Sequence, residues 1–429
     1  MAEDKLYSQL QTILQAREDS GRLLKPCPAS TLRNLVDFGT NDCLDLSSSR
    51  ILSKKFLTEL ESHPGFLMGS CGSRMADGMT AYLEQLERFL ADFHSSEAAL
   101  LCHSGYAANV ALWACLPQPG DAVLYDEAIH ASIHDGLHNT RATHLCSFSH
   151  NNLESLRFQI LEILSRHPSL ASGESSVFIA IESFYSLLGD AAPVCDIVAM
   201  VKELLPAGNG RLIIDEAHSN GVIGPSGAGL VAHHGLESEF TVRLHTCGKA
   251  LGSTGGIILC KQVVKDYLCN YARNIVFTTA PSFPLLAMIK AGYNIIGSEE
   301  GNQRRHRLQL NIRHFYHTLT THRHWPRCKA TNQLVFLTEH NWRSQSFLSP
   351  IVAFTSRDRG RHGQSLRDFL HECGVSVIGA RYPLVPAGEA RTRLVIHADH
   401  TQEQIDDVVR MIVAWSGICT GDSESGSRL

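Results

Sequence analysis

Two short segments carry side chains that could do chemistry together. Asp215–His218 follows the apolar run 211–214, and Thr246–Lys249 follows a second strand-like run. Between them they supply a carboxylate, an imidazole, a hydroxyl and an amine. Pyridoxal phosphate needs an amine for a Schiff base, a carboxylate that keeps its pyridine nitrogen protonated and a hydroxyl for its phosphate. We therefore predict pyridoxal phosphate as the cofactor.

Asp215 falls at the carboxyl end of a predicted buried strand. Open α/β sheets place their ligands at such strand ends. A buried carboxylate needs a cationic partner, and a pyridinium nitrogen can be that partner. The alternative is that Asp215 caps the following helix and that His218 is a packed surface histidine.

Lys249 lies in a glycine-rich turn after the strand-like run 242–245. A lysine beside a cationic cofactor and away from water can have the lowered pKa that a Schiff-base nucleophile needs. The alternative is a solvated surface lysine.

The elements that must position these residues alternate along the chain. Apolar, β-rich runs alternate with helical patterns between residues 41 and 281, which predicts an α/β fold with a mostly parallel sheet and helices on both faces. The section after residue 285 predicts a smaller α+β domain. The predicted division is 1–40, an N-terminal helical segment; 41–284, the large cofactor-binding domain; 285–416, the small domain; and 417–429, a flexible tail.

The composition favours small-molecule partners. With 429 residues, a net charge of −5 and no long basic run, binding to nucleic acid or to an anionic membrane is not expected. The sequence shows no signal peptide and no apolar stretch of transmembrane length, so we expect a soluble intracellular protein. Ser427–Leu429 resembles a peroxisomal address, which predicts the peroxisome, with an import receptor as a partner, and otherwise the cytoplasm.

A competing signal is a row of histidines. His130, His134 and His138 recur at helical spacing and would share a face, as zinc ligands do. The glutamate of a zinc-protease motif is absent, because Ala131 occupies its place. We therefore predict no metal site.

Six motifs resemble the α-oxoamine synthases, a family of fold-type I pyridoxal phosphate enzymes, in order and spacing. These are Gly69–Arg74, Ser104–Asn109, His130–Ser132, Asp215–His218, Thr246–Lys249 and Val385–Gly388. The family couples a small amino acid to an acyl-CoA with loss of carbon dioxide, and it works as a homodimer with a shared active site. The resemblance is greatest to the fungal 8-amino-7-oxononanoate synthases, which implies L-alanine, pimeloyl-CoA and a place in biotin biosynthesis.

The resemblance implies a role for each matching residue. Lys249 would form the Schiff base and move the α-proton, with His218 and His130 as the other catalytic residues. Arg393 and Asn41 would bind the amino acid. The implied cofactor contacts are Gly105, Tyr106, His130, Ser186, Asp215, His218, Thr246, Lys249, Thr278 and Thr279.

The individual cofactor contacts follow from the same resemblance. His130 would stack on the ring, and His218 and Ser186 would bond its phenolic oxygen. Gly105 and Tyr106 would offer backbone N–H groups to the phosphate. Thr278 and Thr279 would reach the phosphate of the neighbouring subunit.

Several positions depart from the family pattern and leave the substrate open: Cys43, Leu188, Asn220, Cys247 and Leu384. One alternative is therefore an α-oxoamine synthase of specialised metabolism with another amino acid or acyl thioester. A non-catalytic partner subunit is an alternative of another class, although such subunits lack the lysine present here as Lys249. A transaminase is disfavoured by the family's histidine, lysine and Val385–Gly388 segments.

Overall fold

The computed structural model describes residues 4–26, 28, 31, 34–330, 334–356, 365–382, 385 and 390–420. Its α-helices are α1 Lys5–Asp19, α2 Ile51–Glu61, α3 Ala81–Phe93, α4 Gly105–Cys115, α5 Ala131–His138, α6 Leu153–Arg166, α7 Pro168–Ser172, α8 Val194–Leu204, α9 Leu230–His233, α10 Gln262–Tyr271, α11 Arg273–Val276, α12 Phe283–Ile296, α13 Glu299–Thr321, α14 Trp325–Ala330, α15 Leu366–Glu372 and α16 Gln402–Thr420. Its strands are β1 Val36–Asp37, β2 Ala98–Cys102, β3 Ala122–Asp126, β4 His144–Phe148, β5 Val177–Glu182, β6 Gly210–Asp215, β7 Phe240–Thr246, β8 Gly256–Cys260, β9 Leu334–Phe336, β10 Ile351–Ser356, β11 Val375–Ser376, β12 Ile378–Ala380 and β13 Arg391–Val395.

A seven-stranded sheet forms the centre of the molecule. Its strand order is β2-β8-β7-β6-β5-β3-β4, and β8 runs antiparallel to both of its neighbours. The other neighbouring pairs are parallel. Apolar clusters cover both faces, as expected for strands that are hydrophobic throughout. The prediction of a mostly parallel α/β sheet is confirmed.

The parallel arrangement brings the carboxyl-terminal ends of β5, β6 and β7 to the same side of the sheet. Glu182 at the end of β5 is the register partner of Asp215 at the end of β6. Asp215 in turn pairs with Leu244, two residues before Thr246 at the end of β7. Since parallel strands end at the same edge, their last side chains meet there.

A smaller four-stranded antiparallel sheet, in the order β12-β13-β10-β9, belongs to the second section of the chain. The predicted smaller α+β unit is therefore confirmed. The boundary predicted after residue 284 falls near the start of α12, and the exact division stays a prediction.

The N-terminal segment reaches this second section through β1, which pairs in parallel with β11. The predicted N-terminal helix forms as α1, and none of its residues is buried. Of the helices that the structure describes, none combines the length and apolar character needed to cross a bilayer.

Candidate active site

Lys249 and His218 face each other at the end of β6 and β7. The Lys249 Nζ atom lies 2.6 Å from His218 Nε2. Burial lowers the pKa of Lys249 to about 8, although the nearby charges of Asp215 and Glu182 oppose the shift. Burial, and then the charge of Lys249, hold the pKa of His218 well below its ordinary value. A neutral imidazole thus accepts from an amine whose lowered pKa suits a nucleophile.

Asp215 is held by two N–H donors. Its Oδ2 atom accepts from Asn109 Nδ2 at 2.7 Å, and its Oδ1 atom accepts from the backbone N–H of Ala217 at 2.9 Å. Asn109 also donates to the Ser132 hydroxyl at 3.0 Å, which lies 2.8 Å from His130 Nδ1. A chain of hydrogen bonds therefore joins Asp215 to His130.

His130 caps α5 and accepts at Nδ1 from the backbone N–H of Ser132 at 3.2 Å. Burial lowers the pKa of His130, and the charge of Lys249 adds to this effect while Asp215 opposes it. Because Nδ1 is an acceptor, the ring is neutral with its proton on Nε2. The structure thus places a neutral imidazole beside Asp215 and Lys249.

Sequence reasoning missed Glu182, Asn109 and Ser132. Glu182 is 3% exposed, and its Oε1 atom has no hydrogen-bond partner among the described residues. Burial, followed by the charge of Asp215, raises the pKa of Glu182 well above its ordinary value. Glu182 directly follows the apolar run 177–181, and this position at the end of a buried strand is the sequence feature that could have predicted it. Asn109 and Ser132 lie inside the recognised motifs, but their partners are distant in sequence.

Gly105 and Thr246 approach closely at the start of α4. A Cβ atom at Gly105 would lie 3.0 Å from Thr246 Oγ1, so a larger residue would push the two apart. Ser104 caps this helix by accepting from the backbone N–H of Ala107 at 3.0 Å. A helix N-terminus beside a hydroxyl is an anion-binding arrangement. The side chain of Tyr106 is turned outward and hydrogen-bonds to Asp135.

Thr278 and Thr279 lie between α11 and α12. Thr278 lines a small cavity with Arg74, His103 and Ala107, and Thr279 forms a bridge with Ser73. Neither threonine lines the cavity that contains Lys249.

Arg393, on β13, donates hydrogen bonds to two other residues of the predicted site. Its Nη2 atom donates to Asn41 Oδ1 at 3.1 Å, and its Nη1 atom donates to the Ser186 carbonyl at 3.0 Å. Burial lowers the pKa of Arg393 to about 10. Asn41 also lines the Lys249 cavity. The structure therefore brings Arg393, Asn41 and Ser186 together next to the Lys249 cavity.

The departures from the family pattern lie in and behind this cavity. Cys43 lines it with Lys249. Asn220 donates to the Thr246 carbonyl at 3.0 Å and to the Tyr293 hydroxyl at 3.2 Å. Cys247 is buried and Leu188 is half-buried, and both belong to or pack on the core. Leu384 and most of Val385–Gly388 lie outside the described residues.

The histidine row on α5 does not form a cluster. His134 packs edge-on against Tyr125, and His138 is exposed. Throughout the described part of the chain, no group of three histidine, cysteine, aspartate or glutamate residues could hold a metal ion.

Comparison with known proteins identifies the family. Residues 33–412 match aminotransferase class I and II. The chain belongs to that family. Within it, this aminotransferase class I/II protein is 40% identical over 413 residues to an 8-amino-7-oxononanoate synthase of Emericella nidulans, covering 96% of each chain. It is also 35% identical to aminoacyl transferase sphA of Aspergillus fumigatus, covering 98% of this chain and 90% of the relative.

Solved structures of two enzymes share the fold of this family member. A serine palmitoyltransferase from S. paucimobilis has a TM-score of 0.78 and 27% identity, covering 98% of this chain and all of that one. An 8-amino-7-oxononanoate synthase from Francisella tularensis has a TM-score of 0.67 and 26% identity, covering 89% and 97%. The predicted α-oxoamine synthase membership and fold-type I architecture are confirmed.

The predicted cofactor, pyridoxal phosphate, is confirmed by this membership, and the residues of the site fit it. The close approach of Gly105 and Thr246 suits the phosphate. Asp215 offers an oriented carboxylate for a pyridinium nitrogen, and Lys249 offers an amine with a lowered pKa. The chain is an enzyme of the pyridoxal phosphate-dependent acyltransferases.

Proposed function

We propose that this enzyme condenses L-alanine with pimeloyl-CoA to give 8-amino-7-oxononanoate, CoA and carbon dioxide. The observation that carries the proposal is the Lys249–His218 pair, with Asp215 nearby and Arg393 bonded to Asn41, which lines the Lys249 cavity. The Emericella nidulans relative, whose name gives this activity, supports the choice of substrates.

The cavity walls support a small amino acid. Cys43, Ala217, Ile351 and Val395 give it a largely apolar lining beside Lys249. A methyl group gains from contact with such walls, whereas a polar side chain would lose hydrogen bonds to water. Alanine fits this environment better than a hydroxylated amino acid.

Arg393 would orient the amino acid. A buried guanidinium binds a carboxylate through two parallel hydrogen bonds, which fixes direction as well as affinity. Asn41 and the Ser186 carbonyl hold the Arg393 fork in place. The α-carbon of the amino acid would then point towards Lys249.

Lys249 and His218 would handle the proton. When bound, pyridoxal phosphate supplies an electron sink for the α-carbon. Asp215, oriented by Asn109 and the Ala217 N–H, would keep the pyridine nitrogen protonated. Lys249 Nζ would take the α-proton, and His218 Nε2 would hold the amine in place by hydrogen bonding at 2.6 Å.

A second candidate keeps the reaction and changes the substrates. The relative named aminoacyl transferase sphA is 35% identical across nearly the whole chain. Cys43, which lines the cavity, and Asn220 behind it depart from the family pattern. An α-oxoamine synthase of specialised metabolism is therefore the alternative.

The test is a matrix of amino acids and acyl-CoA thioesters read by thiol release. We expect the fastest turnover with alanine and pimeloyl-CoA. Arg393→Ala should raise the KM for the amino acid by at least about tenfold, because a charged hydrogen-bond pair contributes about 1.5–3 kcal/mol. Arg391→Ala is the matched control and should change the KM for the amino acid less than Arg393→Ala does. Preference for another substrate pair would favour the second candidate, and a reversed ranking of the two arginines would contradict the assigned carboxylate site.

We also propose that the enzyme acts in the peroxisome. The terminal tripeptide Ser427–Leu429 resembles a peroxisomal address, and acyl chains are shortened in that organelle. An N-terminal fluorescent fusion should give puncta, whereas a C-terminal fusion that masks the tripeptide should stay diffuse. Equal distributions of the two fusions would refute the proposal.

A further inference from the structure

Residues 37–46, here named the strap, lead from the N-terminal segment across the second section of the chain. The strap carries Asn41 and Cys43 into the substrate cavity. It lies against the chain around β13: Arg393 donates to Asn41, and the Cys43 carbonyl accepts from the Ala398 N–H at 2.8 Å. The position of the strap therefore decides the geometry of the predicted carboxylate site.

The strap is fixed near its end by a buried ion pair. Asp45 Oδ1 lies 3.3 Å from His397 Nδ1, and the two residues are 8% and 3% exposed. The other ring nitrogen, His397 Nε2, lies 3.2 Å from the carbonyl oxygen of Thr40. Because both nitrogens face acceptors, only the doubly protonated ring can donate to both. His397 thus joins two points of the strap.

Asp45 has an unusual backbone conformation. Its φ angle is +53°, in the left-handed region that disfavours residues with a side chain. Glycine would adopt this angle without strain. The carboxylate instead accepts from the Asp399 N–H at 2.8 Å and the Ser48 hydroxyl at 3.1 Å, in addition to His397. These contacts, rather than the turn itself, account for an aspartate at this position.

The surroundings favour a charged His397. Burial lowers the pKa of His397, but the hydrogen bond and charge of Asp45 outweigh this effect and raise it overall. The neighbouring His400 stacks on His397, and its pKa falls to about 4 through burial and the charge of His397. The titratable and charged groups that surround His397 are Asp37, Asp42, Asp45, Asp399, Arg304 and His400.

We propose that the Asp45–His397 pair is a positioning device for the amino-acid substrate, which holds the strap so that Asn41 stays on Arg393. His397 does not line the cavity, so it acts through the strap. The inference rests on the proposed function, because Asn41 and Arg393 matter here only if an amino acid binds beside them. As His397 loses its proton with rising pH, it can no longer donate to both Asp45 and Thr40, so the strap is held less firmly and amino-acid affinity falls.

The experiment compares the holoenzyme with His397→Gln, Asp45→Asn and Asp45→Gly. Each substitution should raise the KM for the amino acid about tenfold, the value expected for a charged hydrogen bond. The KM for the acyl thioester and kcat should change less than about twofold. The double variant His397→Gln/Asp45→Asn should be no worse than either single variant, because both remove the same interaction.

The pH profile distinguishes positioning from a merely structural role. In the wild type the KM for the amino acid should rise as the pH rises through the raised pKa of His397. The His397→Gln variant should show no such rise. Asp45→Gly relieves the left-handed strain, which offsets part of the loss of the three carboxylate hydrogen bonds, and it should still show the raised KM.

His314→Gln is the matched control, since His314 forms a similar pair with Asp406 at 2.8 Å on α13 and α16. It should keep the wild-type KM and pH profile. If His397→Gln and Asp45→Gly fold but keep the wild-type KM for the amino acid, the inference is wrong. The proposed function is not affected by that outcome. A wild-type protein that condenses no amino acid with any thioester would overturn the proposed function and the inference with it.

Discussion

Two carboxyl groups lie side by side at the edge of the sheet but have different partners. Asp215 accepts two hydrogen bonds from N–H donors. Glu182, its register partner on β5, has a raised pKa because it is buried beside the charge of Asp215. The neutral carboxyl group is therefore favoured at Glu182.

Asp215→Asn tests whether the charge of Asp215 is needed. The amide would keep the shape of the side chain and the fold, but it could not hold a pyridine nitrogen protonated. We expect turnover to fall by at least about a hundredfold, as when other electrostatic stabilisers are removed from active sites. The measurement is steady-state turnover with cofactor content determined in parallel.

Glu182→Gln is the control for this prediction. An amide closely imitates a protonated carboxyl group, so this variant should keep turnover within about tenfold of the wild type. Near-normal turnover in Asp215→Asn would show that the charge is not needed and that Asp215 only orients the Ala217 N–H.

At the scale of elements, an ion-pair cluster holds the segment after β5 that carries Ser186. His150 Nδ1 lies 2.9 Å from Asp126 Oδ1, and its Nε2 atom lies 2.8 Å from Asp190 Oδ2. Burial lowers the pKa of His150, but its hydrogen bonds to the two carboxylates outweigh this effect and raise it to about 9. A charged histidine thus ties the segment after β4 to the segment after β5.

The raised pKa of His150 predicts a pH-dependent stability. A histidine whose folded-state pKa exceeds its unfolded value stabilises fully below about pH 6.5, and that contribution is lost as the pH rises through about 9. We expect a loss on the order of 2 kcal/mol in the free energy of unfolding over this range. Urea unfolding at several pH values measures it.

His150→Gln should be less stable than the wild type at pH 6 and should lack this additional loss at higher pH. His144→Gln, a change on the edge strand β4, should keep the wild-type slope. If the free energy of unfolding of His150→Gln falls with pH as steeply as that of the wild type, other groups cause the pH dependence.

The sequence predicted the elements with a strong local pattern and missed contacts between distant positions. The run 177–181 of β5 and the run 212–214 of β6 are apolar, so Asp215 could be placed at a strand end. Strand β4 has a weaker sequence signal, because it lies at the edge of the sheet and mostly alternates between exposed and half-buried residues. The Asn109–Asp215 and Asp45–His397 contacts join distant parts of the chain, which leaves no periodic signal.

At the scale of the whole molecule, exposed apolar side chains lie on two adjoining segments of the chain. Leu67, Met68 and Phe277 are 79%, 68% and 73% exposed. The segments that carry them adjoin, because the Ser70 hydroxyl donates to the Ala280 carbonyl at 2.7 Å. Exposed apolar clusters of this kind mark interfaces between proteins. We propose a second copy of this chain as the partner.

The last prediction concerns this interface. A symmetric dimer would bury Leu67 and Met68 of both copies and bring Thr278 and Thr279 towards the neighbouring site. Leu67→Asp with Met68→Asp should halve the mass measured by light scattering and lower turnover by at least about tenfold, because buried unpaired charges of one sign cost several kcal/mol. The control, Leu161→Asp, changes a leucine on α6 that is 50% exposed, and this variant should remain dimeric and active. A wild-type protein that is monomeric yet fully active would refute the shared site, whereas a dimer unaffected by the double substitution would place the interface on another surface.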